Sequence, residues 1–158
     1  MERLALASNS PAETRRLGER LARRLRPGDV ILLEGDLGAG KTCLAQGIGK
    51  GLGVGATIKS SAFVLLNEYE GRLKMYLADL YRLENRAEVA DLALEEVAAA
   101  GVLVVEWPDR AWEEMPREHL LVHLKWAGER ARGLVLEARG TRYRELVEGL
   151  TARARRGR

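Results

Sequence analysis

One stretch restricts this chain more than any other. The apolar run Val30-Ile31-Leu32-Leu33 passes through Glu34 directly into Gly35-Asp36-Leu37-Gly38-Ala39-Gly40-Lys41-Thr42. An uninterrupted apolar run of this kind is expected of a strand covered on both faces, in a sheet flanked by helices. The segment after it matches G-x-x-x-x-G-K-[ST] at every position, and Lys41 to about Leu52 reads as the helix that follows. A tight turn from strand to helix uses the glycines but has no need of a lysine and a threonine there. Glycines let backbone N–H groups close around a phosphate at the positive end of the helix. Lys41 is then set to bridge β- and γ-phosphate oxygens, and the Thr42 hydroxyl to ligate Mg²⁺. The pattern predicts a bound nucleoside triphosphate with its magnesium ion. Its expected contacts are Asp36, Leu37, Gly38, Ala39, Gly40, Lys41, Thr42 and Cys43.

Composition sets the scale around that segment. The chain has 158 residues, 46% of them hydrophobic and 31% charged, which fits one globular domain and excludes both disorder and a membrane bundle. The longest uncharged runs, Leu4 to Ala12 and Val97 to Val105, are too short to cross a bilayer. Met1-Glu2-Arg3-Leu4 has no apolar core of a signal peptide, and the single cysteine, Cys43, can form no internal disulfide. A cytoplasmic protein, monomeric when alone, is expected. The formal charge is only +3, yet 21 of the 26 basic residues are arginine. That bias suits phosphate recognition, and a GC-rich genome produces it equally well. The domain is assigned to residues 1–150, and residues 151–158, with four arginines, to a disordered basic tail open to contact with RNA or an acidic partner.

The remaining pattern alternates helices and strands. Ser10-Pro11-Ala12-Glu13 combines an N-cap serine, a proline at the first helical position and a glutamate three residues past the cap. Leu17, Leu21 and Leu25 continue that helix as one apolar stripe, Arg15, Arg16, Arg20, Arg23 and Arg24 occupy the rest, and Pro27-Gly28 ends it. Phe63 to Tyr69 and Leu73 to Leu77 read as a hairpin about Glu70-Gly71-Arg72, and Ala87 to Ala99 as one helix with Val89, Leu92 and Val97 inward. Val102-Leu103-Val104-Val105 forms a second buried strand. Two alternating strands end at Trp126 and Ala138, and Tyr143 to Leu150 closes the chain as a helix. The fold class is α/β, a single P-loop NTPase-like domain whose hairpins require a mixed β-sheet.

A carboxylate is expected at the end of the second buried strand, and Glu106 stands there. It would hold Mg²⁺ directly or through water, or orient the attacking water; a strand-end salt bridge is the plainer alternative. Asp79, at the end of the hairpin, is a second acid for the metal side and equally a helix N-cap. Trp107 and Trp112 are placed for stacking or for packing at the rim. His119 and His123 lie far along the chain, His123 on a strand face. The absence of Asn-Lys-x-Asp leaves GTPase-type guanine selection unsupported, and no second constellation marks the acceptor pocket of a small-molecule kinase.

Three boxes in this order give a resemblance: the glycine-rich segment ending at Thr42, Asp79-Leu80-Tyr81-Arg82-Leu83, and Val105-Glu106-Trp107. From the first helix to about Gly140 the chain resembles the bacterial ATPases of tRNA threonylcarbamoyladenosine biosynthesis, the TsaE (YjeE) family. The resemblance implies a three-layer α/β fold. It also implies a cytoplasmic ATPase that works with the TsaB–TsaD pair, which transfers a threonylcarbamoyl group to the adenosine beside the anticodon of tRNA. It makes Lys41, Asp79 and Glu106 the catalytic set, Thr42 and Glu106 the Mg²⁺ ligands, ATP the substrate, and Arg132 a residue near the nucleotide. The chain departs from the family at Ala62, in Ser60-Ser61-Ala62-Phe63, where a threonine is usual, and at Leu77, where a histidine is usual. Both departures bear on hydrolysis rather than binding.

The leading expectation is an ATP-driven accessory factor with slow intrinsic turnover raised by its partner, because no arginine finger is evident; Arg82 and Arg110 are the nearby candidates. A nucleotide-gated interaction module without needed turnover, and a small-molecule kinase, are the alternatives from other classes.

Overall fold

The computed structural model describes residues 2–58 and 65–156. In chain order the elements are β1 (Arg3–Ser8), α1 (Pro11–Ala22), β2 (Val30–Gly35), α2 (Lys41–Gly51), β3 (Leu66–Tyr69), β4 (Met75–Asp79), α3 (Arg86–Ala90), α4 (Leu94–Ala99), β5 (Val102–Glu106), a 3-10 segment (Pro108–Glu114), β6 (His119–Trp126), β7 (Arg132–Arg139) and α5 (Thr141–Arg156). The seven strands form one sheet in the order β1-β7-β6-β2-β5-β4-β3. Its centre, β6, β2, β5 and β4, is parallel, and β1, β7 and β3 pair antiparallel at the flanks. The mixed sheet required by the hairpins is therefore present.

Alternation along β2 divides the core. Ile31 and Leu33 pack with α1, α2 and α5, whereas Val30 and Leu32 pack with α3, α4 and the 3-10 segment. Three layers result, and β2 is covered on both faces as its apolar run requires. On the first face α1 lies directly against α2, which Gly47 permits: a Cβ there would stand 2.1 Å from the Arg15 carbonyl oxygen. The α1 cap forms as its residues dictate, with the Glu13 N–H donating to Ser10 Oγ at 3.1 Å. The Glu13 carboxylate in turn accepts from the Asn9 N–H. α5 is fastened to the start of β2: the Val30 N–H donates to the Tyr143 hydroxyl at 2.8 Å, and Arg142 grips both oxygens of Asp29.

Four boundaries differ from the sequence expectation. β1 was not foreseen; Ala5 and Ala7 give its outward positions little β propensity, and its pairing with β7 supplies the stability. The single helix expected over Ala87 to Ala99 is two, α3 and α4, because Ala93 adopts a left-handed conformation at φ 50°. The break resets the inward stripe, so Leu94 and Ala98 are buried with Val89 while Leu92 and Val97 are only partly covered. The hairpin forms with Tyr69 opposite Met75, and its second strand runs on to Asp79. The closing helix continues from Leu150 to Arg156 and takes in most of the segment assigned to a disordered tail. Alanine and arginine sustain a helix there, and the Thr151 hydroxyl donates to the Val147 carbonyl at 2.9 Å. Among the described residues, no helix is long and apolar enough to cross a membrane.

Candidate functional site

The parallel strands β2, β5 and β4 end on the same side of the sheet, and the candidate residues gather there. The register places Leu33 of β2 beside Glu106 of β5, and Glu106 beside Asp79 of β4. Two glycines between β2 and α2, Gly38 (φ 79°) and Gly40 (φ 107°), hold left-handed conformations, which aim the intervening backbone around the helix start. Gly40 is the N-cap of α2 and offers no side-chain cap, so the first N–H groups of the helix face the opening. The opening is a cleft of about 230 Å³, and Gly38, Lys41, Thr42, Cys43, Asp79 and Glu106 are among its lining residues.

Lys41 is almost fully buried at 5% exposure. Its ammonium donates to the carbonyl oxygens of Gly35 and Asp36 and lies 3.9 Å above the centre of the Trp107 ring. Burial lowers its pKa, while the charges of Glu106, Asp109, Asp36 and Asp79 act in the opposite direction. The Thr42 hydroxyl donates to Glu106 Oε1 at 3.0 Å. Glu106 is 2% exposed, and its second oxygen, Oε2, has no hydrogen-bond partner among the described residues. Burial, and then the neighbouring charge of Asp79, push the Glu106 carboxyl up to about 7, against the hydrogen bond from Thr42 and the charge of Lys41. Among the described residues Glu106 forms no salt bridge, and Asp79 caps no helix: its Oδ1 accepts from the Tyr81 N–H at 3.0 Å in the turn after β4.

Trp107 follows Glu106 in a left-handed conformation at φ 60°, which turns its ring back over the cleft. It meets Tyr81 with ring centres 4.9 Å apart, and the Arg110 guanidinium lies over both rings at 5.4 and 5.7 Å. Arg110 thus stands on the aromatic wall, whereas Arg82 is exposed and does not line the cleft. Arg132 is brought to the other side of the glycine-rich loop: its Nη2 donates to the Gly38 carbonyl at 3.4 Å, and its guanidinium stacks 3.8 Å above the Trp126 ring. Sequence reasoning gave Trp126 no role beyond ending a strand; an exposed tryptophan before a polar turn was the available signal. Cys43 Sγ donates to the Pro11 carbonyl and accepts from Arg15 Nη1, each at 3.2 Å, tying the N-terminus of α1 to the cleft. The histidines stand apart: His119 is buried against the Pro116 carbonyl, and His123 pairs with Glu137 at 2.7 Å.

The family model described as Threonylcarbamoyl adenosine biosynthesis protein TsaE matches residues 8–134, which spans the glycine-rich loop, Asp79, Glu106 and Arg132. The chain belongs to the TsaE family. It is 39% identical over 153 residues to the tRNA threonylcarbamoyladenosine biosynthesis protein TsaE of Bacillus subtilis, with 96% of each chain covered. To the protein of the same name from Nostoc sp. it is 46% identical over 126 residues, covering 75% of this chain and 76% of the relative. The crystal structure of Bacillus subtilis YdiB matches with a TM-score of 0.82 at 36% identity, covering 97% of both chains. Of the two departures from the family pattern, Leu77 is 2% exposed and packs in the core with Met75 and Val104, so this position faces away from the cleft. Ser60, Ser61, Ala62 and Phe63 lie outside the described residues.

Proposed function

We propose that the chain binds ATP with Mg²⁺ in this cleft and hydrolyses it slowly to ADP and phosphate. In this reading it serves, with the TsaB–TsaD pair and in the cytoplasm, the threonylcarbamoyl modification of the adenosine beside the anticodon of tRNA. Membership of the TsaE family supports the role in tRNA modification. The observation that carries the nucleotide half is the meeting of Thr42 and Glu106 at the first turn of α2.

The donor set fits a small hard cation. Glu106 Oε2 is buried beside the Thr42 hydroxyl without a partner among the described residues, and oxygens of these types are what Mg²⁺ takes. Thr42 and Glu106 would hold the ion; when bound, it neutralises charge on the phosphate oxygens. Lys41 exchanges the carbonyls of Gly35 and Asp36 for phosphate oxygens, and the uncapped N–H groups of α2 add their dipole. Asp79 stands beside Glu106 in register and orients water on the metal side of the cleft. Trp126 and Arg132, next to Gly38, offer a stacking face and a cation to the base end of the nucleotide. Arg110 is held over the Tyr81 and Trp107 rings and Arg132 over Trp126; slow turnover alone and acceleration by a group supplied from the partner are the expected behaviour.

The test is multi-turnover threonylcarbamoylation of tRNA by purified TsaB–TsaD given threonylcarbamoyl-adenylate, with wild-type protein or its Lys41→Ala variant. Cycling with the wild type and single turnover with the variant is expected. Equal cycling without any added chain would overturn the accessory role, and full support by a non-hydrolysable ATP analogue would remove the need for hydrolysis.

A further inference from the structure

We propose that the solvent face of α1 is a docking surface for the sugar–phosphate backbone of RNA. Arg16 and Arg20 lie about 40° apart around this helix and about 6 Å apart along its axis, Arg23 caps its C-terminus, and Arg24 follows in the turn beyond. Buried Thr14, Gly18 and Leu21 take the opposite side. Arg16, Arg23 and Arg24 are exposed, and Arg20 is half-buried where its stem covers Leu17 and Leu21. None of the four guanidiniums forms an ion pair among the described residues, although the acids of α1 are engaged. Glu19 pairs with Lys50 at 3.1 Å, and Glu13 belongs to the helix cap. This face therefore holds positive charge that the described residues do not neutralise.

The neighbouring helix α5 packs against this face. Gly149 of α5 leaves the space that the Arg24 guanidinium occupies, since a Cβ there would stand 2.6 Å from Arg24 Nη1.

The surroundings favour RNA over an acidic protein. Protein interfaces draw their energy from a few buried aromatic or large aliphatic anchors. The exposed large apolar residues, Leu37, Tyr81, Trp112 and Trp126, all lie outside α1. Binding to a phosphate backbone needs guanidiniums alone, because release of condensed counterions supplies the affinity.

The experiment measures binding of unmodified tRNA to the full chain by fluorescence anisotropy between roughly 50 and 200 mM salt. If each of the four arginines meets one phosphate, affinity falls roughly 50- to 150-fold over that range. Replacing all four with glutamine should abolish most of this salt dependence while binding of an ATP analogue is kept. The milder Arg16→Gln/Arg23→Gln pair should reduce the logarithmic slope by about 1 to 2. The Lys41→Ala variant should bind tRNA as the wild type does, which separates this surface from the cleft. Failure of the wild type to bind tRNA at the lowest salt, or an unchanged slope in the glutamine variants, overturns the proposal. Displacement of tRNA by poly-glutamate at equal charge concentration would assign the face to an acidic protein instead.

Discussion

Thr42 and Glu106 stand 64 positions apart in the chain, and the threonine hydroxyl donates to the glutamate at 3.0 Å. The bond leaves one oxygen of a buried carboxylate unmatched, and its protonation then sets a pH dependence of folding. Folding raises the Glu106 pKa from 4.5 to about 7. Between these values the unfolded chain ionises while the folded chain keeps the proton, so stability falls as pH rises through the window. Above it the burden is about 3 kcal/mol. Glu106→Gln should therefore raise the melting temperature at about pH 8 and change it little at about pH 5. Thermal melts of both proteins at the two pH values check this; an equal gain at both would contradict a raised pKa.

The same proton opposes the metal. A carboxylate must lose its proton to ligate, so apparent Mg²⁺ affinity of the nucleotide-loaded protein should fall about tenfold per pH unit below about 7. Magnesium titrations across that range, followed by nucleotide fluorescence, read the slope. The Glu106→Gln variant should bind Mg²⁺ weakly with no such slope.

Lys41 rests 3.9 Å above the Trp107 ring while donating to the glycine-rich loop, so a phosphate that recruits the ammonium removes a cation from that ring. In a Trp112→Phe/Trp126→Phe background, ATP should change the emission of Trp107. Lys41→Ala should weaken ATP binding roughly 10- to 100-fold, the scale of a charge-assisted hydrogen bond, and remove the ammonium-dependent part of the emission change. Calorimetry supplies the affinities; an unaltered affinity would place the phosphates elsewhere.

Gly47 lets α1 and α2 touch. In Gly47→Ala the added methyl would stand 2.1 Å from a backbone oxygen of α1, and no side chain can swing away to relieve it. The variant should lose about 3 kcal/mol, or roughly 8 °C in melting temperature for a domain of this size. A change below 2 °C, about the effect of under 1 kcal/mol, would mean the helices separate readily.

The parts of the fold legible in the sequence were those with strong local physics. The apolar runs of β2 and β5 have no other stable home than a covered sheet, and the Ser10 cap with Pro11 starts a helix unaided. The break at Ala93 was hidden because alanine is a good helix former, and only packing of Leu94 and Ala98 onto the sheet holds it left-handed. β1 was hidden for a related reason: its pairing with β7 joins the two ends of the chain, and no local window contains both. At the candidate site, Lys41, Thr42 and Glu106 were marked by motif and strand end. The Trp126–Arg132 stack was not, because it needs the β6–β7 turn to fold against Gly38.

The parallel centre of the sheet has a consequence for how the protein acquires its site. The glycine-rich loop is local and can form with β2 and α2, but the carboxylates arrive only when β5 and β4 slot in beside β2, across a long intervening segment. Contacts of such sequence separation carry a large loop-closure entropy and form late. A chain stalled before that step has the glycine-rich loop without Asp79 and Glu106 beside it. On the proposed reading, magnesium nucleotide would be a ligand of the finished molecule alone, and by mass action it would draw a population of half-assembled chains toward completion.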